Sequence, residues 1–140
     1  MAVATYDPSN LTLSILGSDP HGFADGEFLR AVPDEDLFTK TVGADREVAR
    51  VKNAAGMSGT LVLTLLQSST FNAVMSAAAA LDQASGAGVG PFVYKEGGTV
   101  LAAGECWVKR LPDAAWGKEM GTREWIIEVA KFTAYFLGGN

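Results

Sequence analysis

The stretch Thr122–Leu137, TREWIIEVAKFTAYFL, decides how the fold is read. It contains neither Gly nor Pro, and Trp, Ile, Val, Phe, Thr and Tyr dominate it, residues that suit a pleated, half-buried surface. As one strand at roughly 3.3 Å per residue it spans about 50 Å. A compact domain of this length is only about 35–40 Å across. Such a strand must bend, or continue into a surface that a neighbouring copy covers. Its alternation also slips. Thr122, Glu124 and Glu128 are the polar positions at first, against Trp125, Ile127 and Val129, whereas Lys131 and Thr133 are polar later, against Phe132 and Phe136. A phase change near Ala130 predicts a bulge or a switch of covered face. Glu124, Trp125, Ile126, Glu128 and Phe132 are therefore candidates for a wall strand or a contact between subunits.

Working outward, Asn10–Leu16 alternates Leu11, Leu13 and Ile15 with Thr12 and Ser14 before the turn residues Gly17 to Pro20, which predicts a half-buried strand. Glu27–Val32 predicts a second strand, stopped by Pro33. Asp34–Lys40 reads as an exposed acidic loop anchored by Leu37 and Phe38. Glu47–Lys52 and Thr60–Leu66 predict two more strands, joined across Asn53–Gly59 as a hairpin tip. Residues 32–59 are thus expected to form an extended arm on a single domain covering 1–140.

At residue 71 the period changes from two to 3.6. Phe71, Val74, Met75, Ala78 and Leu81 make one apolar stripe, Ser68, Ser69 and Thr70 offer N-caps, and Gly86 offers a stop. One helix is expected there, plugging an open end or covering a face of the β-structure. Phe92–Glu96, a turn at Gly97-Gly98, and Thr99–Leu111 read as a hairpin, with Glu105, Trp107 and Lys109 on one face and Cys106, Val108 and Arg110 on the other. Pro112 ends it, and Asp113–Gly121 is a loop carrying Trp116.

The 140 residues suffice for one core, and 48% apolar residues against 19% charged favour an oligomer over a monomer that leaves greasy surface in water. A net charge of −5 argues against gripping nucleic acid, which takes clustered Lys and Arg. The single Cys106 excludes an internal disulfide. The first ten residues, MAVATYDPSN, lack the basic and apolar regions of a signal peptide, and no apolar run approaches a membrane span.

Chemistry is sparse. His21 lies in a Pro-His-Gly turn, where only Asp19 or Asp25 could orient it as a base. There is no second His and no spaced Cys for zinc, and Asp34-Glu35-Asp36 lacks the ligand pattern of a calcium loop. Gly86, Gly88 and Gly90 follow a helix instead of opening one, so they are no phosphate loop. Glu124 and Glu128 are about 13 Å apart along a strand, too far for a glycosidase pair. No catalytic, cofactor or metal residue is assigned, and a non-enzymatic role is expected.

FADGEF (23–28), DEDLFTKTVGADREV (34–48), SGTLVLTLLQSS (58–69) and GTREWIIEV (121–129) carry a resemblance that extends over nearly the whole chain. In these segments and their order the sequence resembles the tail tube proteins of contractile-tailed bacteriophages. The resemblance implies a mainly β fold, an antiparallel sandwich or barrel with one flanking helix and a long C-terminal strand. It implies hexameric rings whose sheets join edge to edge around a lumen. Rings would stack into a tube inside a contractile sheath, in a virion tail assembled in the host cytoplasm. The implied partners are further copies of itself, the tail sheath protein, the tape-measure protein, and baseplate and tail-terminator proteins. DNA would pass through the bore without specific binding, which suits an acidic chain. For the stacking contact, Asp34, Glu35 and Asp36, with Phe38 beside them, are candidates to meet Arg46, Arg50 or Lys52 of the next ring. The alternatives are the inner tube of a tailocin or type VI-like secretion machine, and a small monomeric β-barrel binding module.

Overall fold

The computed structural model describes residues 11–53, 57–96 and 99–135. In chain order they form β1 (Leu11–Ile15), β2 (Leu29–Pro33), β3 (Phe38–Val42), β4 (Val48–Lys52), β5 (Gly59–Leu66), α1 (Phe71–Ser85), β6 (Gly90–Glu96), β7 (Thr99–Arg110) and β8 (Thr122–Tyr135). Six strands make one sheet in the order β1-β6-β7-β8-β5-β2, every neighbouring pair antiparallel, and β3 and β4 form a separate two-stranded ribbon, pairing among the described residues with each other alone. The chain is mainly β with one helix, as its periodicities predict.

Alternation decides which face is covered. Leu61, Leu63 and Leu65 of β5 face inward with Trp125, Ile127 and Val129 of β8, Cys106 of β7, Phe92 of β6, and Leu13 and Ile15 of β1. Side chains from strands far apart in the sheet order share this cluster, so the sheet curls around it into a half-barrel. Phe71 and Met75 of α1 enter the same core. The helix therefore plugs the half-barrel where β5 ends. Its covered stripe is narrower than the sequence suggests: Val74 and Leu81 are exposed, and Phe71 and Met75 are the buried helix residues. Of the four alanines Ala78 and Ala79 are half-buried and Ala77 and Ala80 are exposed, so the covered stripe continues from Phe71 and Met75 onto Ala78 and Ala79 and leaves Val74 and Leu81 outside it. Thr70 takes the N-cap position without a side-chain capping bond. Instead Ser69 Oγ accepts from the Phe71 N–H at 3.2 Å and donates to the His21 carbonyl at 2.5 Å. Gly86 ends the helix at φ 70°, its N–H bonded to the Asp82 carbonyl.

The long strand bends as its phase slip predicts. Glu105 pairs with Lys131 and Cys106 with Val129, so Ala130 is an extra residue in the ladder. Ala103 pairs with Ala134 and Gly104 with Phe132, which leaves Thr133 as a second. Each extra residue flips the alternation, and Phe132 thereby turns inward beside Val129. Gly104 lies at the second irregularity, where an added Cβ would stand 2.6 Å from the Lys131 carbonyl oxygen.

The expected hairpin of Glu47–Lys52 with Thr60–Leu66 does not form. β4 pairs back onto β3, and β5 sits between β2 and β8. Asp34–Lys40 is correspondingly not all loop, since Phe38–Val42 is a strand. The Gly43–Glu47 turn outcompetes the longer connection: Arg46 N–H bonds the Gly43 carbonyl, Gly43 N–H bonds the Glu47 carbonyl, and Arg46 takes φ 68°. That is a three-residue hairpin loop with a left-handed third position. The centre of the expected tip, 54–56, lies outside the described residues, as do the turn at Gly97-Gly98 and the end of the long run beyond Tyr135.

Candidate functional site

Among the described residues, groups able to do chemistry are few and lie apart. Among the described residues no three His, Cys, Asp or Glu converge to hold a metal ion. His21 Nε2 lies 2.5 Å from Thr70 Oγ1, and its ring meets Phe71 edge-on. Neither Asp19 nor Asp25 orients it, so His21 belongs to the helix start. Burial pushes the Cys106 thiol up to about 12, against a backbone hydrogen bond from Leu16 that acts the other way. A thiol that stays protonated in the core is a packing residue. No helix among the described residues is long and apolar enough to cross a membrane.

Surfaces are more informative. The β3–β4 ribbon has all ten strand residues exposed, including Phe38, Val42, Val48 and Val51. Two strands without a covered face are marginal in water. Cross-strand register puts Phe38 with Lys52, Lys40 with Arg50, and Val42 with Val48 on one face, leaving Thr39 with Val51 and Thr41 with Ala49 on the other. The first face is cationic, and the Arg50 guanidinium stacks 4.2 Å from the Phe38 ring centre. The second carries no charge.

Hydrogen bonds within the chain hold the base of the ribbon. Asp34 accepts from Ser58 Oγ at 2.9 Å and Thr60 Oγ1 at 3.3 Å, and Glu35 accepts from Asn53 Nδ2 at 2.5 Å. The structure therefore brings Asp34 and Glu35 to the ribbon's root and leaves Asp36 exposed beside them. Arg46 sits at the tip, and Phe38, Arg50 and Lys52 share the cationic face. The sequence shows the charges but not this division of labour, because the β3–β4 register decides it.

The candidate wall-strand residues separate as well. Trp125 and Phe132 are core, at 1% and 3% exposure, and Trp125 Nε1 donates to Asn72 Oδ1 at 2.9 Å. Glu124 is exposed, and Ile126 and Glu128 are half-buried on the outer face. Across that face Glu124 opposes Thr64, Ile126 opposes Val62, and Glu128 lies between Thr60 and Trp107. β5 pairs with β8 only as far as Val129, and beyond it Phe132 N–H reaches the Met57 carbonyl. Asn72 is the residue that sequence reading misses. It bonds Trp125 and the carbonyls of Leu66 and Ser69, tying helix to sheet.

Comparison with known proteins points in one direction. Residues 4–138 match the family model described as the bacteriophage PhiTE tail tube protein. A structural protein, ORF10 of Pseudomonas phage KPP10, is 27% identical over 148 aligned positions, which cover 98% of this chain and 84% of that protein. Among solved structures, the anti-feeding prophage cap, a tube-terminating cap, superposes with a TM-score of 0.55 at 12% identity, covering 95% of this chain and 93% of that one. At that identity the likeness is one of fold.

Proposed function

The chain belongs to the bacteriophage PhiTE tail tube protein family, and from that membership we propose that it is the repeating subunit of a hollow tube that conducts the phage genome. Its role is structural, and its place is the virion tail. Six copies join into a ring, and rings stack inside a contractile sheath. The tape-measure, baseplate and tail-terminator proteins meet the same tube at its bore and ends. DNA slides through without being held, in keeping with a net charge of −5.

The observation that carries this reading is an even-stranded sheet whose border strands, β1 and β2, have no further strand beside them among the described residues. Six strands alternate in direction, so β1 and β2 run oppositely at its two borders. The β2 edge of one copy can therefore pair antiparallel with the β1 edge of the next, and the alternation continues around a closed wall. Edges left open in water invite such pairing. The β3–β4 ribbon is the arm that reaches to the next ring.

Sedimentation velocity and negative-stain microscopy of the purified protein test this. Rings near six times 14.7 kDa, alone or stacked into tubes, are expected. A monomer at micromolar concentration, with no rings on the grid, overturns the tube and favours a solitary binding module.

A further inference from the structure

Arg123 is a cation that the sheet folds inward. The alternation that buries Trp125, Ile127 and Val129 puts Arg123 in the same row, opposite the fully buried Leu65. It is only 9% exposed, and a guanidinium does not escape burial by losing its proton. Its Nη1 donates to the Thr122 carbonyl at 3.2 Å and its Nη2 to the Ala115 carbonyl at 3.4 Å. Both acceptors are neutral. Among the described residues the ion pairs are Glu27–Arg30 and Arg110–Asp113, so Arg123 has no carboxylate partner there. The guanidinium carbon stands 5.6 Å from the Trp116 ring centre, and that indole is 78% exposed. A mostly solvated aromatic face offsets part of a buried charge, not all of it.

The Arg123 side chain lines a cleft of about 270 Å³ between the start of α1, the start of β8 and residues 111–114. Gln67 borders the same cleft. Its Oε1 accepts the Gly121 N–H at 3.1 Å, so its amide nitrogen is the end left to donate. The Asn72 amide is committed to Trp125 and to the Leu66 and Ser69 carbonyls. No carboxylate is among the described residues that line the cleft, and Leu111, Pro112, Ala114 and Trp125 give it apolar walls. A cavity of about 150 Å³ already holds benzene. A small organic acid therefore fits.

We propose that this cleft is an anion site in which the Arg123 guanidinium grips a carboxylate carried on a short apolar stem, with the Gln67 amide as a second donor. A carboxylate presents two oxygens to the planar fork of a guanidinium. One cation lines the cleft, so a singly charged anion is neutralised there, whereas a dianion such as phosphate keeps an unpaired charge out of water. The stem packs on Leu111 and Pro112. A free short-chain acid and a glutamate side chain of another protein share this chemistry. The site goes beyond the tube reading and does not depend on it, because one copy supplies every residue named.

Propionate is the probe, titrated against chloride at constant ionic strength and read through tryptophan fluorescence, since Trp116 and Trp125 both border Arg123. Sedimentation keeps the comparison to one oligomeric state. A saturable change is expected in the wild-type protein, weakened at least roughly tenfold in Arg123→Lys, which keeps the charge but loses the fork. Arg123→Met should abolish it, and if that variant does not fold, Arg123→Lys alone decides. A blocked peptide bearing one glutamate separates the sources. Tighter binding than propionate assigns the carboxylate to a protein side chain, and equal or weaker binding assigns it to a free acid. No saturable response of the wild-type protein to either probe overturns the site, as does an undiminished response in the folded variants. Phosphate binding more tightly than both probes overturns the choice of a carboxylate.

Discussion

Asn72→Ala should destabilise the fold out of proportion to its half-buried position. The indole of Trp125, 1% exposed, can only donate, so its 2.9 Å bond to Asn72 fixes the amide with oxygen toward the indole and nitrogen toward the Leu66 and Ser69 carbonyls, each at 3.0 Å. Truncation leaves the buried indole N–H without a partner, at about 1–3 kcal/mol, and removes two amide–carbonyl bonds of about 0.5–1.5 kcal/mol each. A cleft of about 270 Å³ beside Asn72 and Trp125 admits water to part of this network. The net loss then falls near the low end, about 2–3 kcal/mol. For a domain of this size that lowers the melting temperature by about 8–12 °C. The assay is thermal and urea unfolding followed by tryptophan fluorescence, at one protein concentration so that assembly does not shift the comparison. Trp125→Phe completes a double-mutant cycle. If the bond operates as described, Trp125→Phe costs less in the Asn72→Ala background than in wild type, with a coupling of about 1 kcal/mol or more. Additivity within about 0.5 kcal/mol would refute the reasoning and assign the cost to helix packing instead.

Two further outcomes follow from the core. Gly104→Ala places a methyl 2.6 Å from the Lys131 carbonyl oxygen and 3.1 Å from Phe92, and backbone cannot yield as a side chain tip can; a loss of about 2–3 kcal/mol in the same urea assay is expected. For Cys106 the folded-state value, pushed up to about 12, lies above the ordinary thiol value of 9.0. The unfolded chain therefore sheds this proton first as pH rises, so the thiol's contribution to stability is full below pH 9 and is lost between pH 9 and 12. Cys106→Ala should flatten that part of the pH–stability curve, and the native thiol should resist a disulfide reagent at pH 8 until the protein is denatured.

Local sequence determined the elements apart from β3, whose Phe38–Val42 reads as part of an exposed loop until β4 pairs with it. Alternation in Thr60–Leu66 and Thr122–Val129 named the faces that became the core, because side chains of a strand point to opposite sides whatever it pairs with. The slip near Ala130 located a bulge, since an added residue must invert the alternation. Gly86 marked the helix end through its left-handed φ. The motifs also pointed to the tail tube family that residues 4–138 match. Partnership was another matter. Nothing local says that β4 turns back to β3, because the competition between a three-residue turn and a longer connection is settled by which strand occupies the edge of β5, and β2 does. Nor does spacing reveal that Asp34 and Glu35 are bound at the ribbon's root, or that Asn72 holds Trp125, contacts made across 26, 18 and 53 residues of chain. Periodicity is a property of one segment and can be read from it. Pairing, and the choice of which charges remain free to meet another molecule, belong to segments brought together only when the sheet curls.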